Sequence, residues 1–284
     1  MSKLAWIGTG VMGKNMVLHL FCDEDQITVY NRTLAKAMPL AQQGATVASS
    51  VEEAVRDADF IFTIVGFPQD VEEVYRTIFM AAKPGAIAID MTTSSAELAQ
   101  RLHEEGRQHG IRVLDAPVSG GDSGAAAGTL SIMVGGDEED YQACLPYFRK
   151  MGTHVQYMGK AGCGQHTKMA NQIAIAGTVA AVAEAIAYAQ VNGLDPKALL
   201  GAISQGAAGS WQMSNNGPKM IDGDDAPGFF IKHFIKDMRL ARQSAQNQGL
   251  QLPVLDTVLT LYETMQDQGM GDLGTQAIIR SYQK

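Results

Sequence analysis

Short apolar runs alternate with helical segments along the first half of the chain. The runs are almost continuous in Val, Ile, Leu and Ala, a pattern typical of strands covered on both faces of a sheet. The candidate strands are Lys3–Gly8, Gln26–Tyr30, Asp59–Val65, Ala86–Asp90, Arg112–Ala116, Leu130–Val134 and His154–Tyr157. Helical segments between them include Val51–Asp57, Gln69–Met80, Ala96–His109 and Glu138–Met151. This alternation predicts an α/β fold with a doubly wound, mainly parallel sheet.

The pattern changes after Tyr157, where no further strand is predicted. A long Ala-rich helix is predicted over about Cys163–Val191, and Asp195-Pro196 is typical of the start of the next helix. Further helices are predicted over Phe234–Asn247, Pro253–Asp267 and Leu273–Ser281. We therefore predict an α/β domain over residues 1–161 and an all-α substrate and dimerisation domain over 162–284. Because the Ala-rich helix could pack against a second subunit, a homodimer or homotetramer is expected.

Composition limits the classes of partner. Hydrophobic residues make up 46% of the 284 residues, enough for a large core, and the net charge of −8 argues against a nucleic-acid partner. The long helix could span a bilayer by length, but Glu184 and flanking polar residues favour a buried helix of a soluble, cytoplasmic protein with no membrane partner. Cys22, Cys144 and Cys163 lack paired spacing, so neither a disulfide nor a metal site is expected.

A glycine-rich turn follows the first candidate strand and opens a helical segment. It reads Gly8-Thr9-Gly10-Val11-Met12-Gly13, the spacing of dinucleotide-binding turns in Rossmann-type folds. The first glycine makes a tight bend, the second lets the backbone approach a pyrophosphate, and the third permits close packing of helix on strand. The following helix N-terminus attracts the diphosphate. The turn predicts a dinucleotide site; a glycine turn without a ligand is the alternative.

The end of the second candidate strand indicates which dinucleotide binds. NAD enzymes commonly place Asp or Glu here to bind the ribose 2′-hydroxyl, whereas this chain has Asn31-Arg32-Thr33. Arg32 could pair with a 2′-phosphate and stack on the adenine, and Asn31 and Thr33 could add neutral hydrogen bonds. We predict NADP(H) as the preferred cofactor and NAD(H) as a second one. The alternative is that Arg32 is a solvated loop charge.

Two more loops lie at the carboxyl ends of candidate strands, where parallel sheets bind ligands. Val65 and Phe67-Pro68 could line the adenosine or nicotinamide pocket, and Thr93 could donate a hydrogen bond to the nicotinamide ribose. Ser94 and Ser95 are interpreted mainly as helix caps.

A second glycine-rich segment leaves the sixth candidate strand, reads Asp115-Ala116-Pro117-Val118-Ser119-Gly120-Gly121 and is predicted to continue as a loop to Gly128. Gly120 and Gly121 would let backbone amides approach an anion, and Ser119 adds a hydroxyl donor. We predict that this loop binds a substrate carboxylate; a flexible connection is the alternative.

Lys168 and Asn171 interrupt the predicted long helix near its start. Three residues apart, they share a helix face at the expected junction of the domains, where clefts form. The ammonium of Lys168 could give a proton to a carbonyl oxygen as hydride arrives and take it back in oxidation. By itself, a lysine near a helix start is more often a surface charge. His166 should point elsewhere and is assigned a structural role.

Together these segments resemble the β-hydroxyacid dehydrogenases, which include 3-hydroxyisobutyrate dehydrogenase, tartronate semialdehyde reductase and glyoxylate/succinic semialdehyde reductases. The resemblance covers nearly the whole chain and rests on Gly8–Gly13, Asp115–Gly121, Gly162–Gln172 and Phe234–Asp237. It implies that Lys168 is the catalytic acid and base. It also implies substrate contacts for Ser119, Gly120 and Asn171, and cofactor contacts for Thr93 and Lys236.

The expected activity is NADP-dependent interconversion of a short hydroxy acid and its aldehyde acid. Oxidation of 3-hydroxyisobutyrate in valine breakdown, a non-catalytic NADP-binding protein and an imine reductase are the alternatives. The chain is much shorter than 6-phosphogluconate dehydrogenase and has Asn171-Gln172 where that enzyme has His-Asn, so decarboxylation of a phosphosugar is not expected. Phe229-Phe230 could close the substrate pocket, and Trp211 could either line it or pack in the core.

Overall fold

A computed structural model describes residues 2–21 and 25–282. The chain forms two compact units, Met1–Lys168 and Met169–Lys284. The predicted boundary after residue 161, and the dimerisation role assigned to the second domain, stay predictions. Cys22 lies outside the described residues; Cys144 is buried and Cys163 is half-buried.

Unit 1 is built on one sheet, which has nine strands within the described residues. They are β1 (Lys3–Ile7), β2 (Gln26–Tyr30), β3 (Thr46–Val47), β4 (Phe60–Thr63), β5 (Ile87–Asp90), β6 (Arg112–Asp115), β7 (Val118–Ser119), β8 (Leu130–Gly135) and β9 (Gly152–Gly159). Their order is β3-β2-β1-β4-β5-β6-β8-β7, with β9 paired to β8. The pairs from β3 to β6 are parallel, and β8 runs antiparallel to β6 and β7. The predicted mainly parallel, doubly wound sheet is confirmed.

The central strands are apolar on both faces. Leu4 and Trp6 of β1 belong to one hydrophobic cluster, whereas Ala5 and Ile7 belong to another. Side chains alternate between the faces of a strand, so each face of the sheet carries its own core. This explains the continuous apolar runs in the sequence.

Helices cover the two faces. Those of unit 1 are α1 (Val11–Leu18), α2 (Met38–Ala41), α3 (Val51–Val55), α4 (Pro68–Ala81), α5 (Ala96–Gln108), α6 (Gly121–Ala127) and α7 (Glu138–Met151). The sequence analysis missed the two-residue strands β3 and β7 and the short helices α2 and α6, whose residues show no clear apolar periodicity.

The helix α8 (Cys163–Val191) begins in unit 1 and continues through unit 2. Unit 2 is otherwise made of α9 (Pro196–Ile203), α10 (Gly217–Asp222), α11 (Ile231–Asn247), α12 (Pro253–Asp267), a π-helical turn over Gln212–Asn216 and a 3₁₀ segment over Thr275–Tyr282. Within its described residues, the only strand-like pairing is an isolated bridge between Phe230 and Gly274. The predicted all-α second domain is confirmed.

One helix in the described part of the chain is long and apolar enough to cross a bilayer. It is α8, whose most apolar 18-residue window has a mean hydropathy of 1.5 and is 44% buried. Core helices of soluble proteins also meet this criterion, and Val179, Ala183 and Ile186 of α8 lie in the core of unit 2. The expected absence of a membrane partner stays a prediction.

Candidate functional site

The glycine-rich turn has the geometry that a dinucleotide fingerprint requires. Gly8 has a φ of +101°, and a Cβ there would overlap the carbonyl oxygen of Ile64. A Cβ at Gly13 would overlap the carbonyl oxygen of Gly8, whereas one at Gly10 would meet nothing within 4 Å. Two glycines therefore allow the bend and the packing, and the middle one leaves its side of the turn open. Gly10 precedes α1 without a side-chain cap, so the first amides of α1 can bind an anion.

The other residues of this turn differ in exposure, and one of them ties the turn to the next strand. Thr9 is buried, Met12 is half-buried and Val11 is 53% exposed. The backbone N–H of Thr9 donates to Asn31 Oδ1 at 2.9 Å, which ties the turn after β1 to the end of β2.

Asn31, Arg32 and Thr33 lie directly after β2. The Asn31 amide also donates to the carbonyl oxygen of Thr33 at 2.9 Å. The Asn31 side chain is therefore hydrogen-bonded both to the glycine-rich turn and to its own loop. Arg32 is 82% exposed in its side chain, and its Nη1 lies 3.1 Å from Asp70 Oδ1. Asp70 in turn accepts the backbone N–H of Phe67 at 3.0 Å and caps α4. The guanidinium is accessible, and an exposed ion pair of this kind is weak enough to be exchanged for a phosphate.

The loops after β4 and β5 are joined by Thr92. Its Oγ1 accepts the backbone N–H of Val65 at 3.0 Å. Val65 and Thr93 are both half-buried. Phe67 is 42% exposed and Pro68 is the first residue of α4.

The two serines after Thr93 have different roles. The Ser95 hydroxyl accepts the Leu98 N–H and caps α5, as predicted. The expectation that Ser94 is also a cap is wrong: its hydroxyl is buried with no hydrogen-bond partner among the described residues. Instead, its backbone N–H donates to Gln165 Oε1.

Asp90 ends β5 as a buried carboxyl group. Its Oδ1 accepts the Thr63 hydroxyl and the Thr92 backbone N–H, both at 3.0 Å. Burial raises the pKa of Asp90 to about 6, although these hydrogen bonds act in the opposite direction. The sequence analysis named this residue only as the end of a candidate strand.

The raised pKa predicts a pH-dependent stability gain for Asp90→Asn. The folded chain holds the Asp90 proton more tightly than the unfolded chain, so stability falls as pH rises from about 4 to 6. Asparagine keeps the acceptor oxygen without the charge. The variant should match the parent near pH 4 and exceed it above pH 7, by about 2–3 kcal/mol in the free energy of unfolding.

Urea unfolding from pH 4 to 8 measures this difference. Asp57→Asn, at a carboxylate whose side chain is 74% exposed, is the matched control and should show little change with pH. An Asp90→Asn advantage of equal size at every pH would contradict the prediction.

Asp115 anchors the start of α8. Its Oδ1 accepts the backbone N–H of Gly162 and its Oδ2 that of Gln165, both at 2.8 Å. Burial raises the pKa of Asp115, and the two hydrogen bonds oppose this shift. A carboxylate at a helix N-terminus satisfies free amides and interacts favourably with the helix dipole. The end of β6 therefore fixes the first turn of α8.

Gly164 lies where this turn packs most closely, which gives a second stability prediction. A Cβ there would meet the backbone oxygens of Met133 and Asp115 and lie 2.8 Å from Asp115 Oδ2. Gly164→Ala should therefore lower the thermal midpoint and the activity, because the turn must move off Asp115. Gly177→Ala in the same helix is the matched control: its Cβ has one neighbour, at 3.8 Å, so better helix propensity should stabilise by up to about 1 kcal/mol. Equal midpoints for the two variants would contradict this account.

The predicted carboxylate-binding segment is partly regular structure. Val118–Ser119 form β7 and Gly121–Ala127 form α6, so the expectation of a glycine-rich loop running to Gly128 is corrected. Val118 and Ser119 pair with β8, which holds Ser119 at a sheet edge. Ser119 and Gly121 are half-buried, and Gly120 is exposed.

Lys168 lies in the second turn of α8 and is only 6% exposed. Long charged side chains are rarely buried unless they serve a site or a partner. The alternative interpretation of Lys168 as a surface charge is therefore wrong. His166, two residues earlier, is exposed, in line with its expected orientation away from Lys168.

Asn171 and Lys236 belong to unit 2. Asp237 lies between them, in contact with Lys236 and with Gln172, the residue after Asn171. Asp237 is 1% exposed; it accepts Gln172 Nε2 at 2.7 Å, and its Oδ1 lies 3.1 Å from Lys236 Nζ. The amide of Asn171 donates to Gln172 Oε1 at 2.9 Å. A buried polar chain thus connects α8 with α11. Lys236 is largely buried, since its side chain is 12% exposed.

The aromatic candidates of unit 2 differ in exposure. Phe229 and Phe230 are half-buried, and the Phe229 ring packs against Phe234. Trp211 is 62% exposed, so the alternative that it packs in the core is wrong. It directly precedes the π-helical turn, an irregularity often found at functional positions.

The sequence analysis gave no role to Gln165, Gln172 and Asp237. Each is a buried polar residue within a block already noted, but spacing cannot reveal which backbone group a buried amide meets. No group of three or more potential metal-ligating side chains occurs within residues 2–21 and 25–282.

Two family models match the chain. Residues 3–159 match the NAD-binding domain of 6-phosphogluconate dehydrogenase, and residues 162–282 match the NAD-binding domain of NADP-dependent 3-hydroxyisobutyrate dehydrogenase. Both matched domains are named for nicotinamide cofactors, and the geometry of the Gly8–Gly13 turn fits such a cofactor.

Individual proteins agree with the family models. The uncharacterised oxidoreductase YkwC of Bacillus subtilis is 49% identical over 99% of each chain. A mitochondrial 3-hydroxyisobutyrate dehydrogenase-like protein of Arabidopsis thaliana is 42% identical over 100% of this chain and 86% of its own. The structure of Mycobacterium tuberculosis 3-hydroxyisobutyrate dehydrogenase with L-serine matches with a TM-score of 0.93, 30% identity and full coverage of both chains. The chain therefore belongs to the β-hydroxyacid dehydrogenase family of NAD(P)-dependent oxidoreductases that act on CH–OH groups.

Proposed function

We propose that this protein interconverts a short β-hydroxy acid and its semialdehyde with NADP(H), using Lys168 as the general acid and base. The observation that carries the proposal is the burial of Lys168 in a helix turn that Asp115 holds at the carboxyl end of the sheet. Parallel sheets bind their ligands at this end. A cytoplasmic location and a homo-oligomeric state are part of the same proposal.

The cofactor would bind along unit 1. The amides after Gly8, Gly10 and Gly13 would hold the diphosphate, and Arg32 would pair with the 2′-phosphate, with Asn31 and Thr33 beside it. Val65 and Thr93 would contact the nicotinamide half, and Lys236 is a further proposed cofactor contact. When bound, the nicotinamide supplies or accepts the hydride.

Each substrate group has a proposed partner. Ser119 and the backbone of Gly120 and Gly121 would bind the carboxylate, and Asn171 would orient the reacting oxygen. In reduction, the Lys168 ammonium gives its proton to the carbonyl oxygen as hydride reaches the carbon; in oxidation, the neutral amine takes the hydroxyl proton. Lys168 thus keeps the oxygen from carrying a full charge in either direction.

The substrate class draws support from a relative. The M. tuberculosis enzyme, 30% identical over its full length, is described with L-serine, which carries a hydroxyl on its β-carbon. A small carboxylate with an oxygen at the β-carbon therefore fits this proposal. Oxidation of 3-hydroxyisobutyrate is the second candidate. The preference for NADP(H) favours reduction as the main direction.

A substrate screen tests the proposal. NADPH oxidation is followed with succinic semialdehyde, glyoxylate, tartronate semialdehyde and methylmalonate semialdehyde, and NADP reduction with L-serine and 3-hydroxyisobutyrate. Turnover of at least one semialdehyde, abolished in Lys168→Ala, is the expected result. Tight NADPH binding without turnover of any of these compounds would favour a non-catalytic NADP-binding protein.

A further inference from the structure

Gln165 connects the start of α8 to the loop after β5. The proposed reaction requires a fixed distance between that loop and Lys168. It is completely buried at 0% exposure. Its Nε2 donates to the carbonyl oxygen of Thr92 at 2.8 Å, and its Oε1 accepts the backbone N–H of Ser94 at 2.9 Å. One side-chain amide therefore satisfies a donor and an acceptor on either side of Thr93.

The backbone of Gln165 is fixed as firmly as its side chain. Its N–H donates to Asp115 Oδ2 at 2.8 Å, at the end of β6. Thr92, whose carbonyl receives the Gln165 amide, is held to the loop after β4 through Val65. The carboxyl ends of β4, β5 and β6 are thus tied to the turn of α8 that precedes Lys168.

We infer that Gln165 is a positioning residue for hydride transfer, which sets the distance between the Thr93 loop and Lys168. Lys168 lies three residues after Gln165 on the same helix, so displacement of that turn moves both. Misplacement of reacting groups by about 1 Å can cost about 100-fold in rate. This inference rests on the proposed role of Lys168, and the experiment below separates the two.

This position requires a side chain that can both donate and accept a hydrogen bond. The glutamine donates a hydrogen bond to the Thr92 carbonyl oxygen and accepts one from the Ser94 N–H, whereas an ionised glutamate would place negative charge against the Thr92 carbonyl. A protonated glutamic acid could again donate to that carbonyl and accept from Ser94. Burial raises the pKa of a carboxyl group, so we expect the glutamate of Gln165→Glu to become protonated within the pH range of an activity assay.

The first test is Gln165→Leu, with Gln190→Leu as the matched control. Gln190 is an exposed residue of the same helix. We expect kcat and the single-turnover hydride-transfer rate of Gln165→Leu to fall by about 10- to 100-fold, with a much smaller change in KM for NADPH. The cofactor contacts proposed for Gly8–Gly13 do not involve Gln165. Wild-type hydride transfer in a folded Gln165→Leu protein would overturn the inference.

The second test is Gln165→Glu, with Gln190→Glu as its control. The ratio of its kcat to that of the parent should rise reversibly as pH falls, because the protonated side chain restores both hydrogen bonds. This comparison within one protein remains decisive if Gln165→Leu fails to fold. A ratio that does not change with pH would refute the positioning role.

A Lys168→Ala arm distinguishes this inference from the proposed function. If Lys168→Ala turns over normally, the acid–base role fails. The pH response of Gln165→Glu would still report on the position of the Thr93 loop. The acid–base role of Lys168 and the positioning role of Gln165 can therefore fail independently.

Discussion

Replacing Lys168 with alanine should lower kcat by about two to four orders of magnitude, the usual contribution of a positioned proton donor. The side chain is 6% exposed and sits in a turn fixed by Asp115. Its removal would delete the proposed proton source and leave the glycine-rich turn of the proposed cofactor site intact. NADPH affinity, measured by fluorescence titration, should therefore change little, and the loss should appear in kcat rather than in KM.

Two further variants make the Lys168 result specific. Lys168→Arg keeps a positive charge but stays protonated throughout the assay range, so it should remain impaired if proton transfer is the role. Lys160→Ala removes an exposed lysine close to the start of α8 and should behave as the parent. Turnover of Lys168→Ala within a few-fold of the parent would refute the acid–base assignment.

Arg32→Asp should reverse the cofactor preference. A hydrogen bond to a charged group is worth about 1.5–3 kcal/mol, so loss of the guanidinium should cost about 10- to 100-fold in kcat/KM for NADPH. The new carboxylate would also repel the 2′-phosphate and could accept hydrogen bonds from the ribose hydroxyls of NADH. Steady-state kinetics with both cofactors measure the change. Equal or better efficiency of the parent with NADH would contradict the proposed NADP preference.

The ion pair with Asp70 must be separated from phosphate recognition. Asp70→Asn releases Arg32 without removing it, so NADPH should bind at least as well as in the parent. Arg56→Asp, at an exposed arginine paired with Glu52, is the matched control and should leave the preference unchanged. If Asp70→Asn lost NADPH efficiency as severely as Arg32→Asp, the role of Arg32 would be structural. Rising salt should reduce the advantage of NADPH in the parent.

The sequence predicted the long elements well and the short ones poorly. The helices Cys163–Val191 and Pro253–Asp267 have the predicted bounds, since their length carries many turns of periodicity and their ends carry Gly or Pro signals. The strand β7 and the helix α6 were interpreted as one glycine-rich loop, since Gly and Ala carry no apolar pattern. The exposure of Trp211 could not be predicted either, because aromatic character by itself does not distinguish a core side chain from an exposed one.

What the sequence determined by itself was the local chemistry: the Gly8–Gly13 turn, the arginine after β2 and the lysine near the start of α8. Such features depend on neighbours in the chain, so spacing reveals them. Only the tertiary structure decided that Asp115 caps α8, that Gln165 bridges Thr92 and Ser94, and that the Asp90 carboxyl is buried. These contacts join residues from 27 to 73 positions apart, where a buried polar group must find whichever partner the packed sheet brings to it.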